Sequence, residues 1–305
     1  MQDIDIVIVG AGVAGLTAAM VAGHHDMKVV VVDRIGVGGQ ISTAERIDNF
    51  PGFPQGIAGH ELGPLLHEQA EAAGAEFMLD TIEQISPDGG GFLVRGTDTL
   101  RARAVIVAAG STPRALGIPG EELFLGKGVS HCASCDGPFF KGEEVVVVGG
   151  GDSALDEALV LATHAWRVTV VHRGASLSAQ RSIVARASAD PKVAILLDTV
   201  VEEIVGGDAV SGVRLRDQKS GAARLQPVKG VFVHVGLEPN TVFLQGLVAL
   251  DGAGHIETDA MMRTSLPGLF AAGDIRKGSV ALIAAVAGDG ATAAVAAVRH
   301  LRRGA

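Results

Sequence analysis

Residues 4–33 read IDIVIVGAGVAGLTAAMVAGHHDMKVVVVD. A short β-branched run, 4–9, stops at a glycine cluster. An Ala-rich stretch, 13–24, follows, and a second apolar run, 28–33, ends in Asp33. Apolar runs of this length bounded by glycine read as buried strands, and the Ala-rich stretch between them reads as a helix. The unit is therefore strand–turn–helix–strand, the opening of a dinucleotide-binding fold. In that turn Gly10 allows the tight bend, Gly12 the close approach of a pyrophosphate, and Gly15 the close packing of the helix. Val13 and Ala14 open the helix, whose N–H groups and positive dipole end face the phosphates. Asp33 is placed to accept hydrogen bonds from ribose hydroxyls.

The same pattern returns at 144–149 (EVVVVG), 152–164 and 167–172 (RVTVVH). Its turn carries Gly149, Gly151, Asp152, Ser153 and Ala154, with Ala154 at the position of the third glycine, a replacement the fingerprint tolerates. Here the second strand ends in His172 and Arg173 instead of an acid, and a cation at that point favours a 2′-phosphate, hence NADPH over NADH. Two further apolar runs, 104–108 and 231–235, lead into the Gly/Pro-rich segments 109–114 and 236–240, which read as crossings between domains. The fold class expected is α/β: two Rossmann-like, three-layer dinucleotide-binding domains, the second inserted into the first. The first domain is expected to span 1–114 with 242–305, and the inserted second domain 117–240.

Composition narrows the class. The chain has 305 residues and a formal charge of −9, with both signs mixed along it. That argues against phosphate-driven nucleic-acid binding and suits a cytoplasmic protein. No charged leader with a small-residue cleavage site precedes the first strand, so no signal peptide is expected. The Ala/Val-rich stretch 280–298 is interrupted by Gly288, Asp289 and Gly290 and reads as a buried terminal helix, not a membrane span.

The chain has two cysteines, Cys132 and Cys135, with Asp136 next to them. A lone C-x-x-C in such a chain points to redox or metal chemistry. Zinc would need further ligands at matching spacing, and the sequence has no second C-x-x-C and no H-x-x-x-H. A ring this short gains little closure entropy and makes a poor staple. A redox-active dithiol is the favoured reading, with a neighbouring acid–base group controlling thiol protonation. His131 is adjacent and reads as a packing or hydrogen-bonding residue.

These motifs together resemble the low-molecular-weight thioredoxin reductase family from residue 4 to about 300. The resemblance rests on the first glycine motif, Gly38-Gly39-Gln40, the runs 48–53 (DNFPGF) and 109–114 (AGSTPR), 128–137 (GVSHCASCDG), Gly149–Ala154 and 267–274 (PGLFAAGD). It implies FAD on the first domain and a pyridine nucleotide on the second, in a homodimer. By matching position, Asp33, Arg34, Gly39, Gln40, Asn49, Ile82, Ala109 and Gly110 would line FAD. Gly273 and Asp274 would hold its ribityl or pyrophosphate region, and the backbone around Ala281 and Leu282 would face the flavin ring. Cys135 would be the flavin-side thiol, Cys132 the thiol that attacks a partner disulfide, and Asp136 the proton donor. The implied activity is that of an FAD-dependent disulfide oxidoreductase passing electrons from NAD(P)H to a thioredoxin-type protein or a small disulfide, with hinges near 113–118 and 238–243.

Three positions depart from the family pattern. The usual H-R-R reads His172-Arg173-Gly174, the usual Arg-Gln after the Gly-Asp motif reads Ala281-Leu282, and Asp33 replaces a more usual Glu. These keep open a reductase using NADH, a nicotinamide-independent relative fed by ferredoxin or oxidising small dithiols with O₂, and a redox-sensing flavoprotein without turnover.

Overall fold

The computed structural model describes residues 3–44 and 46–303. The chain divides into two compact units, Met1–Thr112 with Glu238–Ala305, and Pro113–Leu237. The crossings fall earlier than the sequence suggests: residues 113–114 belong to the second unit and 238–240 to the first.

The first unit begins with β1 (Asp3–Val9), α1 (Val13–Gly23) and β2 (Val29–Asp33), followed by α2 (Gly59–Ala72). Next come β3 (Glu76–Leu79), β4 (Gln84–Asp88), β5 (Gly91–Arg95) and β6 (Thr99–Val107). The chain leaves through β7 (Ser111–Pro113). The second unit holds β8 (Val129–Ser130), α3 (Ala133–Asp136), β9 (Glu144–Gly149), α4 (Asp152–His164) and β10 (Arg167–Val171). It continues with α5 (Arg181–Ala189), β11 (Val193–Leu196), β12 (Thr199–Gly206), β13 (Val210–Asp217), β14 (Ala223–Pro227) and β15 (Gly230–His234). After β16 (Leu237–Pro239) the chain closes in the first unit with β17 (Leu269–Ala271) and α6 (Ile283–Arg303).

Among the described residues the first unit has a seven-stranded sheet in the order β3-β2-β1-β6-β5-β4, with β17 also on β6. Strands β3, β2, β1, β6 and β17 are parallel, whereas β4–β5–β6 is an antiparallel meander. The apolar runs are continuous because both faces are covered. Ile6, Ile8, Val29, Val31 and Ile106 pack under α1 and α6. Their neighbours Val7, Val9, Val30, Val32 and Val107 fill the opposite face with Leu244 and Ile256. Period two along each strand thus places alternate residues in different cores.

The second unit repeats the arrangement with a parallel sheet β11-β10-β9-β15-β8. Val145, Val147, Val168, Val170 and Phe232 pack under α4. Val146, Val148, Val231 and Val233 pack against Val213 and Leu215 of the antiparallel sheet β12-β13-β14. Residues 92–95 lie in the β4–β5–β6 meander and 213–216 in this three-stranded sheet. The Ala-rich C-terminal stretch is helical from Ile283 and packs on α1 so tightly that a Cβ on Gly290 would lie 2.1 Å from the Ala14 carbonyl oxygen. No helix among the described residues is long and apolar enough to cross a membrane.

Candidate active site

In the first glycine turn, Gly10 has φ +111°, and a Cβ there would lie 2.3 Å from the Ala108 carbonyl oxygen. A Cβ on Gly15 would lie 1.8 Å from the Gly10 oxygen, so the helix can start where it does only without a side chain at that position. Around Gly12 nothing lies within 4 Å of the Cβ position, and no side chain caps α1. An open glycine below uncapped helical N–H groups suits a pyrophosphate. Asp33 stitches this turn to β2: Oδ2 accepts the Ala11 N–H at 2.7 Å, and Oδ1 those of Ile35 and Gly36.

Several other expected site residues converge on the same turn. Gly12 bridges Gly38, and a Cβ on Gly39 would lie 3.1 Å from the Gly12 Cα. Gln40 Nε2 donates to the Ser111 hydroxyl and carbonyl oxygens at 3.0 and 3.2 Å. Asn240 Nδ2 donates to the Ala109 carbonyl at 2.7 Å, beside Gly110. Gly273 packs against Ala14, and the Asp274 Oδ1 accepts the Ser279 hydroxyl at 2.9 Å. Arg34 and Asn49 are exposed, and the Ile82 side chain is spent in the core. Ala281, which has φ +50°, and the exposed Leu282 precede α6.

Sequence reading passed over the residue that secures the Gly273–Asp274 turn. Asp289, buried on α6, accepts the Gly273 N–H at 3.2 Å and takes Arg276 through Nε at 2.5 Å and Nη2 at 2.9 Å. An Asp inside an apolar helix was the available signal, because buried carboxylates are paired.

The second glycine turn uses the same backbone device. A Cβ on Gly149 would lie 2.3 Å from the His234 carbonyl oxygen, the Cβ position on Gly151 is open to 3.8 Å, and no side chain caps α4. Ala154 is buried, and the turn leaves room for its methyl group. The strand end differs. The His172 ring lies against the turn, 2.2 Å from where a Gly150 Cβ would be and 2.8 Å from a Gly174 Cβ. Glycine at 174 therefore has a steric reason, since a side chain there would press on this ring. Ser178 and Ala179 donate their N–H groups to the Gly150 carbonyl, and Gln180 holds the Asp152 carboxylate from two sides. Ser153, Arg173 and Arg181 are exposed.

Cys132 and Cys135 form a disulfide with Cα atoms 5.4 Å apart, at the head of α3. Cys135 is exposed, and Cys132 and Asp136 are half-buried. Cys132 N–H donates to the Ser130 hydroxyl, and Cys135 N–H points at the Cys132 Sγ at 3.1 Å. The turn is also held from α4, where Glu157 Oε2 accepts the Ala133 N–H. The structure thus places a closed two-cysteine ring on a short helix and two open glycine turns at uncapped helix starts in one chain.

Comparison with known proteins agrees with this geometry. The family described as "Pyridine nucleotide-disulphide oxidoreductase" matches residues 4–296. Thioredoxin reductase of Listeria monocytogenes is 42% identical over 300 residues, covering 97% of this chain and 93% of that protein. The crystal structure of Lactococcus lactis thioredoxin reductase superposes with a TM-score of 0.96 at 39% identity, covering 98% of this chain and 99% of that one. The thioredoxin reductase of T. acidophilum gives 0.93 at 36% identity, with 98% and 99% covered. The chain belongs to the low-molecular-weight thioredoxin reductase family. It is an FAD-dependent disulfide oxidoreductase, in a family that uses FAD and NADPH.

Proposed function

We propose that the chain passes electrons from a reduced nicotinamide nucleotide, through FAD, to the Cys132–Cys135 disulfide and on to a disulfide of a thioredoxin-type protein. The observation that carries this reading is the closed Cys132–Cys135 ring with Cys135 exposed, in a chain that also folds two open glycine cradles. The first unit is the FAD domain and the second the pyridine-nucleotide domain. FAD, when bound, supplies the exchange of a hydride for two electrons.

The chain's own residues bind and orient. Gly10, Gly12 and Gly15, with the N–H groups of Val13 and Ala14, receive the FAD pyrophosphate, and Asp33 takes the ribose. Arg34, Gly39, Gln40, Asn49, Ala109 and Gly110 line the rest of the flavin site, to which Ile82 contributes only its backbone. Asp274, next to Gly273, would orient the ribityl region, and the backbone at Ala281 and Leu282 would face the ring. Gly149, Gly151 and the start of α4, through Asp152, Ser153 and Ala154, receive the nicotinamide nucleotide, with His172 and Arg173 at its ribose end. In the dithiol state the Cys132 thiolate attacks one sulfur of the partner disulfide. The other partner sulfur leaves as a thiolate and takes a proton from Asp136. Cys135 then attacks Cys132, restoring the ring and releasing the reduced partner. The working form is a homodimer in the cytoplasm.

A second reading, with NADH or a non-nicotinamide donor, is favoured by one feature: within residues 172–180 only Arg173 carries a fixed positive charge. Anaerobic mixing of the yellow holoprotein separates the two. Rapid flavin bleaching by NADPH, followed by reoxidation with a thioredoxin, is the expected result. Bleaching by NADH alone supports the second donor, bleaching by a dithiol alone with recovery in air marks an oxidase, and bleaching by none rejects the nicotinamide step.

A further inference from the structure

Three titratable side chains packed around the redox turn have no part in the relay above: His131, Glu157 and His234. They come from different elements of the second unit, namely the segment entering α3, helix α4 and the end of β15. Glu157 Oε2 accepts the Ala133 N–H, the peptide group directly after Cys132, and lies 3.7 Å from His234 Nε2. That nitrogen is buried and has no hydrogen-bond partner, on a side chain 11% exposed. A gap of 3.7 Å is too long for a hydrogen bond but short enough to close into one. His131 Nδ1 lies 3.0 Å from the Val233 carbonyl, which can only accept, so Nδ1 carries the proton.

The environment keeps His234 neutral while the disulfide is closed. Burial foremost, and His131 second, push its pKa down to about 4. The titratable groups facing it are Glu157 from α4 and His131 from the segment entering α3. Its pairing neighbour on β9 is Gly149, while on the β8 side Ser130 pairs with Phe232, two residues earlier. From β13, Val213 and Leu215 point into the shared core, whereas Arg214 and Arg216 are held outside by Glu203 and Glu202. Negative charge developing on a sulfur of the turn would favour protonation of such a ring.

We propose that His234 and Glu157 are positioning residues of the dithiol: when the Cys132–Cys135 bond opens, His234 takes a proton, closes on the Glu157 carboxylate and stabilises a thiolate at the redox turn. The step balances. Two electrons from the enzyme's reductive half-reaction cleave the S–S bond, one proton stays on a sulfur as thiol, the other sulfur remains thiolate, and the second proton resides on His234. Because Glu157 also holds the Ala133 N–H, the new ion pair tightens the turn that carries both sulfurs. The inference rests on the dithiol being the redox centre, as in the reading above.

The test uses full-length holoprotein reduced with excess dithiothreitol, freed of reductant without air and alkylated with iodoacetamide from pH 5 to 9, each cysteine being followed by mass spectrometry. Wild type is expected to react at pH 6 at least tenfold faster than His234→Phe and Glu157→Gln, whose rate profiles move up by a pH unit or more. Glu157→Asp, which keeps the carboxylate, should recover part of the rate. Should His234→Phe not fold, Glu157→Gln carries the same comparison. Superimposable profiles for wild type and variants overturn the proposal. Failure of either cysteine to alkylate after reduction overturns the underlying dithiol reading instead.

Discussion

The two glycine turns of this chain share a backbone and differ in what they lean on. Gly10 backs onto the carbonyl of Ala108, a buried apolar residue, whereas Gly149 backs onto the carbonyl of His234, a half-buried titratable one, at the equivalent distance of 2.3 Å. At the second strand end, Asp33 reaches into its turn by hydrogen bonding to Ala11, whereas His172 covers its turn with a ring. The glycines therefore encode only the cradle. What the cradle selects, and how it responds to pH, is set by side chains arriving from other strands.

The largest expected effect breaks the symmetry at the third fingerprint position. Gly15→Val puts atoms where the Gly10 oxygen already lies 1.8 Å from a Cβ, and should abolish folded, flavin-binding protein. Ala154→Gly at the matching position should cost only ~0.5–1 kcal/mol, through chain entropy in a helix. Thermal unfolding of the two variants side by side reads the difference, and comparable losses would mean that the turns are not built alike.

Next comes acid sensitivity, which should belong to the second turn. His234 has a folded-state pKa of about 4 against 6.5 for the free group. Its contribution to stability is therefore intact above pH 6.5 and is lost as pH falls toward 4. A shift of one unit corresponds to ~1.4 kcal/mol, so the loss is on the order of 3 kcal/mol across that window. Oxidised wild type should lose stability more steeply between pH 6.5 and 4.5 than His234→Phe. Parallel denaturation curves would place the acid response elsewhere.

The smallest effect sharpens the contrast between strand ends. Arg173→Ala should raise the KM for NADPH about tenfold or more, as expected for a charge-assisted bond worth ~1.5–3 kcal/mol, and leave that for NADH nearly unchanged. Equal changes would remove Arg173 from the phosphate site.

Much of this is legible in the sequence alone, because the features concerned are local. Gly10, Gly12 and Gly15 lie within one turn, and Cys132 and Cys135 within another, so spacing alone fixes their chemistry. The residues that support them escaped notice because they arrive from far along the chain. Ala133 meets Glu157 across 24 positions, His131 meets Val233 across 102, and Gly273 meets Asp289 from a separate helix. His234 interrupts an apolar strand and Asp289 an apolar helix. Each was visible as an oddity, but its partner was not.

By itself, the sequence determined two duplicated strand–turn–helix–strand units, the insertion of one within the other and the redox pair, since hydrophobic period, glycine spacing and C-x-x-C all act over a few residues. Only the tertiary structure decided that His172 fills the space glycine leaves at 150 and 174, that Asp33 closes on its own turn, and that Glu157 holds the peptide after Cys132 with His234 beside it. The physical reason is that parallel sheets join strands through crossovers. The side chains meeting at the ends of those strands are neighbours in space but remote in sequence, and packing alone brings them together.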